Sequence, residues 1–264
     1  MSNLTEQLKK LMPYFGDVDV KKPKDSSKIS IGRIIKYNED QPRDSHGRFG
    51  SNDTSGETRA SVRGYAERLA VKLVAEAKKN EPAITKAVNK AITSNAGTRV
   101  RPDTSVKTEI SLARKLLEDK PMSNARVARI ASKTGDVVRY TGIFPEKTMT
   151  ANVGKAIESL KAAGYKEVRT KNYFNNDPQN GYRGINSVFL DPKTGQKFEV
   201  QFHTEKSLST AEAQHKVYDI AREFPVGSSQ REQARVSMID AFSRVPIPKG
   251  ISSIGEYYVK KFVL

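Results

Sequence analysis

A hairpin pattern is the most constraining feature of the sequence and lies at residues 180–204, NGYRGINSVFLDPKTGQKFEVQFHT. Two stretches of alternating apolar and polar residues flank a turn that contains Pro, Thr and Gly, which predicts two antiparallel strands. Side chains alternate between the two faces of a strand. The second strand therefore has a core-facing row of Phe198, Val200 and Phe202 and an opposite row of Glu199, Gln201 and His203. Because a mid-strand carboxylate is costly to desolvate without a partner, the polar row indicates a cation or a ligand beside Glu199.

The rest of the chain alternates helical and strand patterns. Helical spacing runs from Ser61 to about Asn80, and a second helix begins at Glu81 and Pro82, where an early proline loses no hydrogen bond. Further helices are predicted at 106–119, 123–132, 150–163, 207–223 and 230–243, and further strands at 137–144, 167–174 and in the tail EYYVKKFVL. Helices interleaved with strands predict an α+β fold, with a mixed β-sheet of about five strands flanked by helices.

Composition divides the 264 residues into three predicted parts. Residues 1–60 are rich in Asp, Lys, Ser, Gly and Pro and predict a flexible polar arm. Residues 61–100 form a helical lead-in, and residues 101–264 form the domain that contains the sheet and the C-terminal helices. Within the arm, RDSHGRFGS at residues 43–51 resembles a short segment of tailed-phage head-assembly proteins, although an ordinary linker has the same composition.

The net charge of +16 is concentrated in the middle of the chain, where residues 61–140 carry 17 Lys and Arg against 8 Asp and Glu. Such a field attracts the phosphates of nucleotides or of nucleic acid, and it also serves as a solvated surface that aids solubility. The absence of cysteine excludes disulfides and thiolate metal sites. Because there is no long apolar run and no secretory signal, we expect no membrane partner and a cytoplasmic location in a bacterial host, with virion association as the alternative.

Two carboxylates at strand positions are candidates for a metal site. Asp136 stands at the start of a predicted strand in KTGDVVRYTGIF, and Glu199 lies in the middle of another. Carboxylates from adjacent strands can hold Mg²⁺ through oxygen ligands, with nucleotide phosphates completing the coordination. Tyr182, between Gly181 and Arg183, offers an accessible ring for base stacking. The alternatives are a solvent-facing glutamate and an ordinary hairpin tyrosine.

Cations and a hydroxyl follow one predicted helical face upstream of these carboxylates. In VKTEISLARKLLED, Lys107, Ser111 and Lys115 are four residues apart, and Arg114 is adjacent to the last. This row suits a triphosphate, although lysines on a helix are also typical of a solvated face. The helix after the hairpin has a second row on successive turns, His215, Tyr218 and Arg222. Those side chains either close over the site or belong to a core face.

Taken in order, K-x3-S-x3-K, a strand-initial Asp, N-G-Y and E-x-Q-x-[HR]-T resemble the synthetase domain of the RelA/SpoT family. Members of this family are alarmone synthetases, which transfer pyrophosphate from ATP to a nucleotide 3′-hydroxyl. The resemblance covers about residues 81–224, and its most specific part is the hairpin, where members typically show N-G-Y-x-S-I-H followed by E-I-Q-I-R-T. It implies a nucleotidyltransferase-like synthetase fold, Mg²⁺ as the cofactor and ATP as the donor.

The resemblance also implies roles for individual residues. Asp136 and Glu199 would be the Mg²⁺ ligands and the catalytic carboxylates. Tyr182 would stack on the acceptor base with Asn180 nearby, while the cationic helix would contact ATP. The full nucleotide-binding set would be Lys107, Ser111, Arg114, Lys115, Arg139, Asn180, Tyr182, Gln201 and His203.

Four positions depart from the family pattern. Ser105 stands where members often carry Arg two residues before the first Lys, and Thr141 stands where an Arg usually follows the Asp by five residues. Asn186 replaces the His of N-G-Y-x-S-I-H, and His203 replaces the Arg of E-I-Q-I-R-T. These positions touch nucleotide contacts, so the acceptor is open: a guanine or adenine nucleotide, or the 3′ end of tRNA as in toxic relatives.

The leading hypothesis is therefore a Mg²⁺-dependent pyrophosphokinase that acts on a nucleotide or tRNA, in a toxin-like or phage-associated context. The alternative is a non-enzymatic phage head or internal virion protein that binds nucleic acid or capsid on a synthetase-like scaffold. A third hypothesis is a nucleotidyl transferase built on the same sheet. The sequence contains no P-loop, no dinucleotide-binding glycine motif and no H-E-x-x-H.

Overall fold

The computed structural model describes residues 6, 7, 10, 58–118, 123–221, 223–225 and 227–259. In chain order, the helices are α1 (Arg59–Thr93), α2 (Glu109–Leu116), α3 (Asn124–Lys133), α4 (Met149–Ala162), α5 (Glu205–Ala221) and α6 (Ser229–Ser243). The strands are β1 (Thr98–Val100), β2 (Val138–Ile143), β3 (Lys166–Asn172), β4 (Ile185–Leu190), β5 (Lys197–His203) and β6 (Glu256–Tyr257). The fold is α+β, a mixed sheet flanked by helices, as the sequence predicts.

The sheet has the strand order β1-β2-β5-β4-β3-β6. β2 pairs with β5 in parallel, β4 is antiparallel to both β5 and β3, and β6 is parallel to β3. The predicted hairpin therefore forms the centre of the sheet. The described residues form six strands rather than the expected five, because β1 is an edge strand of three residues, which is too short to show alternation in the sequence.

The hydrophobic core lies between one face of the sheet and helices α1 and α4. β5 contributes Phe198, Val200 and Phe202, all fully buried, as the alternation predicts. Phe198 stacks on Phe189 of β4, with the ring centroids 5.5 Å apart. The helices cover this layer with small and aliphatic residues, among them Ala66, Ala70, Val74, Ile84, Val88, Met149, Val153 and Ile157. Because this face of β5 is fixed inward, its polar row faces the opposite side of the sheet.

Helix α1 runs without interruption through Pro82, so the predicted break between Asn80 and Glu81 is wrong. Its buried residues continue on both sides of the proline, with Ala77 before it and Ile84 after it. Packing of this continuous apolar stripe against the sheet outweighs the backbone hydrogen bond that proline cannot donate.

Helix α2 begins at Glu109 rather than at the predicted Val106. Thr108 is its N-cap, because its side chain accepts a hydrogen bond from a backbone amide of the first turn. The backbone N–H of Lys107 instead donates to Val137 O at 2.9 Å, which attaches this residue to the edge of the sheet. The predicted helical row of Lys107 and its neighbours is therefore split between a sheet edge and a helix.

Several predictions fall on residues that the structure does not describe. The predicted arm is described only at residues 6, 7, 10 and 58–60, so the phage-like segment 43–51 lies outside the described residues, as do residues 260–264 of the tail. The division into an arm, a helical lead-in and a sheet domain stays a prediction. In the described part of the chain, no helix is both long enough and apolar enough to cross a membrane.

We predict that Gly97→Ala destabilises the fold by about 2 kcal/mol, because it overpacks the core. Gly97 connects α1 to β1, and a Cβ built there would lie 2.6 Å from the Phe144 ring and 2.9 Å from Ile92, both of which are buried. Urea unfolding measures the change. The matched control is Gly64→Ala within α1, where the nearest atom is the flexible end of Arg68 at 3.3 Å. The control should raise stability by about 0.5–1 kcal/mol, and equal stability of the Gly97→Ala protein and the wild type would contradict the packing described.

Candidate functional site

The polar face of β5 is the centre of the candidate site. In the parallel pairing with β2, Arg139 stands opposite Glu199 and Thr141 stands opposite Gln201. In the antiparallel pairing with β4, Asn186 stands opposite Gln201. Side chains directly opposite each other on adjacent strands have Cβ atoms about 5 Å apart. These five residues therefore form one continuous polar surface across three strands.

Asp136 lies between two lysines at the edge of this surface. Its carboxylate is 2.6 Å from Lys115 Nζ and 3.3 Å from Lys107 Nζ. Burial alone would raise the pKa of Asp136, but the two ammonium groups outweigh it and hold that pKa below its ordinary value. Burial lowers the pKa of Lys107, and the charge of Asp136 partly offsets that effect. Asp136 is therefore an ionised carboxylate held by cations.

Glu199 has the opposite electrostatic environment. It is half-buried, and its pKa is raised first by burial and second by the negative charge of Asp136. Arg139, Lys115 and a 2.9 Å hydrogen bond from Gln201 Nε2 to Glu199 Oε1 oppose this shift without cancelling it. The two predicted catalytic carboxylates thus repel each other, and a cation near both would relieve this repulsion.

A glycine lets the chain bring Asp136 to the polar face. Gly135 passes so close to β4 that a Cβ built there would meet Val188 Cγ1 at 2.7 Å. Val188 is the partner of Glu199 in the β4–β5 pairing and lies on the same face of the sheet. The segment before β2 therefore crosses to the side of the sheet that carries Glu199.

The described residues contain no cluster of three or more His, Asp or Glu side chains that is arranged to hold a metal ion. The predicted Mg²⁺ ligands Asp136 and Glu199 are a pair. A magnesium site with one or two carboxylates is usual where substrate phosphates and water supply the other oxygens. Two carboxylates that repel each other on a polar face therefore fit a divalent cation that arrives with a nucleotide.

A cavity of about 1030 Å³ opens beside the polar face, comparable in size to a large small-molecule site. Its sheet-side wall consists of Arg139, Tyr182, Asn186, Gln201 and His203, and the side formed by α5 and α6 includes Leu208, Glu212, Tyr218, Met238 and Phe242. Arg101 adds a second guanidinium group to the wall and forms an ion pair with Glu212. Arg139 and Gln201, which lie in this wall, are also neighbours of Glu199, so the cavity adjoins the polar face that carries Glu199.

Tyr182 lines this cavity, but its ring is not accessible as the sequence predicts. The residue is only 8% exposed and packs against the rings of Tyr173, His203 and Phe242. Its hydroxyl lies 2.9 Å from His203 Nε2 and 3.1 Å from Asn186 Oδ1, and burial raises its pKa. The prediction of an open stacking face is wrong because the short motif gives no sign of the aromatic residues that the fold brings around the ring.

The structure gathers most of the predicted site residues and leaves others apart. Those at the polar face or in the cavity wall are Lys107, Lys115, Asp136, Arg139, Tyr182, Glu199, Gln201 and His203. Ser111 and Arg114 are exposed on α2 and do not line the cavity. Asn180 is buried, and its side-chain amide donates to Tyr173 O at 2.7 Å, which fixes the loop before the hairpin. The nucleotide-binding roles of all these residues stay predictions.

Sequence reasoning missed much of the helical side of the cavity wall. The missed residues are Leu208, Glu212, Met238 and Phe242. They lie on helices whose approach to the sheet is set by packing, and no local motif marks them. His215 and Tyr218 do line the cavity, and His215 also pairs with Asp219 at 2.9 Å, while Arg222 is outside the described residues. Asn186 was visible only as a departure from the family pattern.

We predict that Glu199→Gln stabilises the protein at neutral pH, because it removes a half-buried negative charge. A raised pKa means that wild-type stability falls as pH rises from the ordinary value of 4.5 through the higher folded-state value. The gain should therefore be absent at acidic pH and grow as pH increases toward 8. Thermal unfolding of both proteins across this pH range is the measurement, and a gain that does not change with pH would contradict the assignment.

We predict the opposite result for Asp136→Asn, a loss of about 2 kcal/mol at neutral pH, because Lys107 and Lys115 lose their carboxylate. The lowered pKa of Asp136 means that this contribution is present above the ordinary value of 3.8 and disappears as pH falls below it. Urea unfolding at pH 7 measures the loss. If both carboxylate substitutions destabilised the protein equally, the contrast between the two environments would be wrong.

No protein-family model matches the chain, and no curated protein matches it. Among solved structures, small alarmone synthetase 2 from Bacillus subtilis is 17% identical with a TM-score of 0.43, over 65% of this chain and 91% of that one. Small alarmone synthetase 1 from Bacillus subtilis, bound to its product pppGpp, is 18% identical with a TM-score of 0.37, over 69% and 89%. A GTP pyrophosphokinase family protein from Streptococcus pneumoniae is 15% identical with a TM-score of 0.38, over 69% and 84%. The structural neighbours of this chain are thus small alarmone synthetases and GTP pyrophosphokinase family proteins.

Proposed function

We propose that the protein is a Mg²⁺-dependent pyrophosphokinase that transfers pyrophosphate from ATP to the 3′-hydroxyl of a nucleotide, either free or at the 3′ end of tRNA. One observation carries the proposal: a pair of carboxylates, flanked by Lys107, Lys115 and Arg139, lies beside a nucleotide-sized cavity whose wall includes Arg139 and Gln201. Phosphoryl chemistry needs acids to hold a metal and cations to hold phosphates. A sheet that served only as a scaffold would need neither beside such a cavity.

The ATP triphosphate is assigned to the cationic side of the carboxylates. Lys107 and Lys115 already bind the oxygens of Asp136, and their ammonium groups would also bind phosphate oxygens. Arg139 is exposed in the cavity wall and stands opposite Glu199 in the sheet. A guanidinium group at that position suits two oxygens of a phosphate and stays charged at any physiological pH.

In the proposed reaction, the 3′-oxygen of the acceptor forms a bond to the β-phosphorus of ATP. The bond from that phosphorus to the oxygen that bridges to the α-phosphorus breaks, and AMP leaves with the electron pair. The proton of the hydroxyl passes to a carboxylate, and Glu199 is the better acceptor because its raised pKa makes it the stronger base. The reaction needs no covalent intermediate on the protein.

Asp136 and Glu199 would hold Mg²⁺, which when bound supplies positive charge against the phosphates. The chain itself orients both acids. Gln201 fixes Glu199 through the 2.9 Å hydrogen bond, and Lys115 keeps Asp136 ionised. Catalysis then comes from positioning and from charge neutralisation in a site shaped before substrate binds.

The acceptor nucleotide is assigned to the cavity. Leu208, Tyr218 and Phe242 offer apolar contacts for a base, and Arg101 offers a cation for its phosphates. The net charge of +16 would also attract the backbone of tRNA through counterion release. Free nucleotides and tRNA are therefore both acceptors to be tested.

We predict that the purified protein, given γ-labelled ATP and Mg²⁺, transfers label to GDP, to GTP or to tRNA and releases AMP in equal amount. Glu199→Gln should reduce the rate by about 100-fold or more, because proton removal and metal binding lose one carboxylate. The matched control is Glu158→Gln on the surface of α4, which removes an exposed acid paired with Lys161 and should leave the rate unchanged. Separating products by chromatography measures both quantities.

Other outcomes would contradict this function. Release of the label as pyrophosphate, with AMP attached to the acceptor, would indicate a nucleotidyl transferase. Label that reaches no acceptor would favour the non-enzymatic nucleic-acid-binding protein. Equal rates for the Glu199→Gln protein and the wild type would remove the carboxylate pair from the reaction.

A further inference from the structure

A buried chain of hydrogen bonds connects the start of α5 to the cavity wall. Ser207 Oγ lies 2.8 Å from His203 Nδ1, His203 Nε2 lies 2.9 Å from the Tyr182 hydroxyl, and that hydroxyl lies 3.1 Å from Asn186 Oδ1. Ser207 and His203 are essentially fully buried. We call these four residues the relay.

The relay has a definite direction. The Tyr182 hydroxyl carries one proton, which it donates to Asn186 Oδ1, so His203 Nε2–H is the donor to the hydroxyl oxygen. His203 Nδ1 then accepts the hydroxyl proton of Ser207 at 2.8 Å, a proton that Ser207 shares with Thr204 O at 3.2 Å, and the Ser207 oxygen also accepts from the Thr204 amide at 3.0 Å. A neutral histidine protonated at Nε2 satisfies this arrangement.

The relay fixes the orientation of the Asn186 amide. Asn186 lines the cavity, and because its Oδ1 accepts the Tyr182 proton, Nδ2 is the group of this amide that can donate to a ligand. Gln201 is oriented in the same way, since its Nε2 donates to Glu199 and its Oε1 is available as an acceptor. Asn186 and Gln201 are directly opposite partners in the β4–β5 pairing. The cavity wall therefore presents a hydrogen-bond donor beside a hydrogen-bond acceptor.

We propose that His203 is a positioning residue that acts through Tyr182 to hold Asn186, so that Asn186 and Gln201 together bind the hydrogen-bonding edge of the acceptor base. This inference rests on the acceptor site assigned under the proposed function and deepens it. A purine base presents a donor beside an acceptor, as in N6–H and N1 of adenine or N1–H and O6 of guanine. The donor and acceptor on the wall complement such an edge in the way that asparagine and glutamine bind bases elsewhere.

The packing around the relay leaves little room for another arrangement. A Cβ built on Gly184 would lie 2.7 Å from the Tyr182 hydroxyl and 2.8 Å from His203 Cε1. The backbone of Gly184 therefore lies close against the hydrogen bond between Tyr182 and His203. The rings of Tyr173 and Phe242 enclose Tyr182 on other sides. Since buried polar groups must be paired, the loss of one member changes the orientation of the next.

The test is binding of GDP and ADP to the full chain, measured by calorimetry with Mg²⁺ and saturating α,β-methylene ATP, which occupies the donor site and does not react. Asn186→Asp keeps the oxygen that accepts from Tyr182 and replaces the donor group by an acceptor. We expect it to weaken the preferred diphosphate by about tenfold. Ribose 5-diphosphate, which has the sugar and the phosphates but no base, is the control for the added charge and should lose far less.

Variants of His203 separate positioning from simple packing. His203→Gln can place an amide N–H where Nε2 lies and should retain most of the affinity, whereas His203→Leu fills the space without a donor and should lose about tenfold. Tyr182→Phe should cause a similar loss, and the double variant His203→Leu with Tyr182→Phe should lose no more than either single one. Affinity for α,β-methylene ATP alone should be unchanged in all of them.

Several results would overturn the inference. They are wild-type affinity in Asn186→Asp, an equal loss for ribose 5-diphosphate, equal losses in His203→Gln and His203→Leu, and a wild-type protein that binds neither GDP nor ADP. If His203→Leu does not fold, Asn186→Asp decides the question. A wild type that binds these diphosphates with the expected variant pattern but releases no AMP from ATP would contradict the proposed function and support the base-binding pair.

Discussion

The parallel pairing of β2 with β5 is the contact on which the rest of the site depends. It sets Arg139 opposite Glu199 and Thr141 opposite Gln201 across the centre of the sheet. A shift of this register by one residue would send Glu199 into the core and bring Phe198 or Val200 to the cavity side. The fully buried aromatic and aliphatic side chains of β5 therefore determine where the carboxylate lies. The core residues and the polar residues of the site therefore lie on opposite faces of the same strand, β5.

The two carboxylates are held in contrasting states by their surroundings. Asp136 is paired with Lys107 and Lys115, and its pKa is lowered in spite of burial. Glu199 is half-buried near that same negative charge, and its pKa is raised. Pairs of titratable groups whose environments move their pKa values apart are typical of sites that divide acid and base roles. Under the proposed function, this contrast would suit Asp136 to holding charge and Glu199 to accepting the proton.

Strand alternation and caps were predictable because they depend on neighbours in the sequence. The faces of β5 and the start of α3 near residue 123 follow from local patterns and are confirmed, and Ser123 is the N-cap of that helix. Lys107 was misplaced because pairing with Val137 at the sheet edge, a contact across thirty residues, decides where α2 begins. The helix break predicted at Pro82 is wrong because tertiary packing of α1 outweighs a local helix-breaking signal. The enclosure of Tyr182 depends on Phe242, which is sixty residues away and has no motif.

Asn186 and His203, which both depart from the family pattern, are explained together because they belong to one chain of hydrogen bonds. An arginine at position 203 has only donors and cannot accept the Ser207 proton, and its charge would be buried beside Tyr182. Histidine supplies both a donor and an acceptor there without a net charge, and the Asn186 oxygen takes the next proton in the chain. The relay therefore adds no net charge to the cavity wall, while Arg101 and Arg139 supply guanidinium groups elsewhere in that wall. A ligand with an uncharged base at one end and phosphates at the other matches this gradient of charge, with its base toward the relay and its phosphates toward the carboxylates.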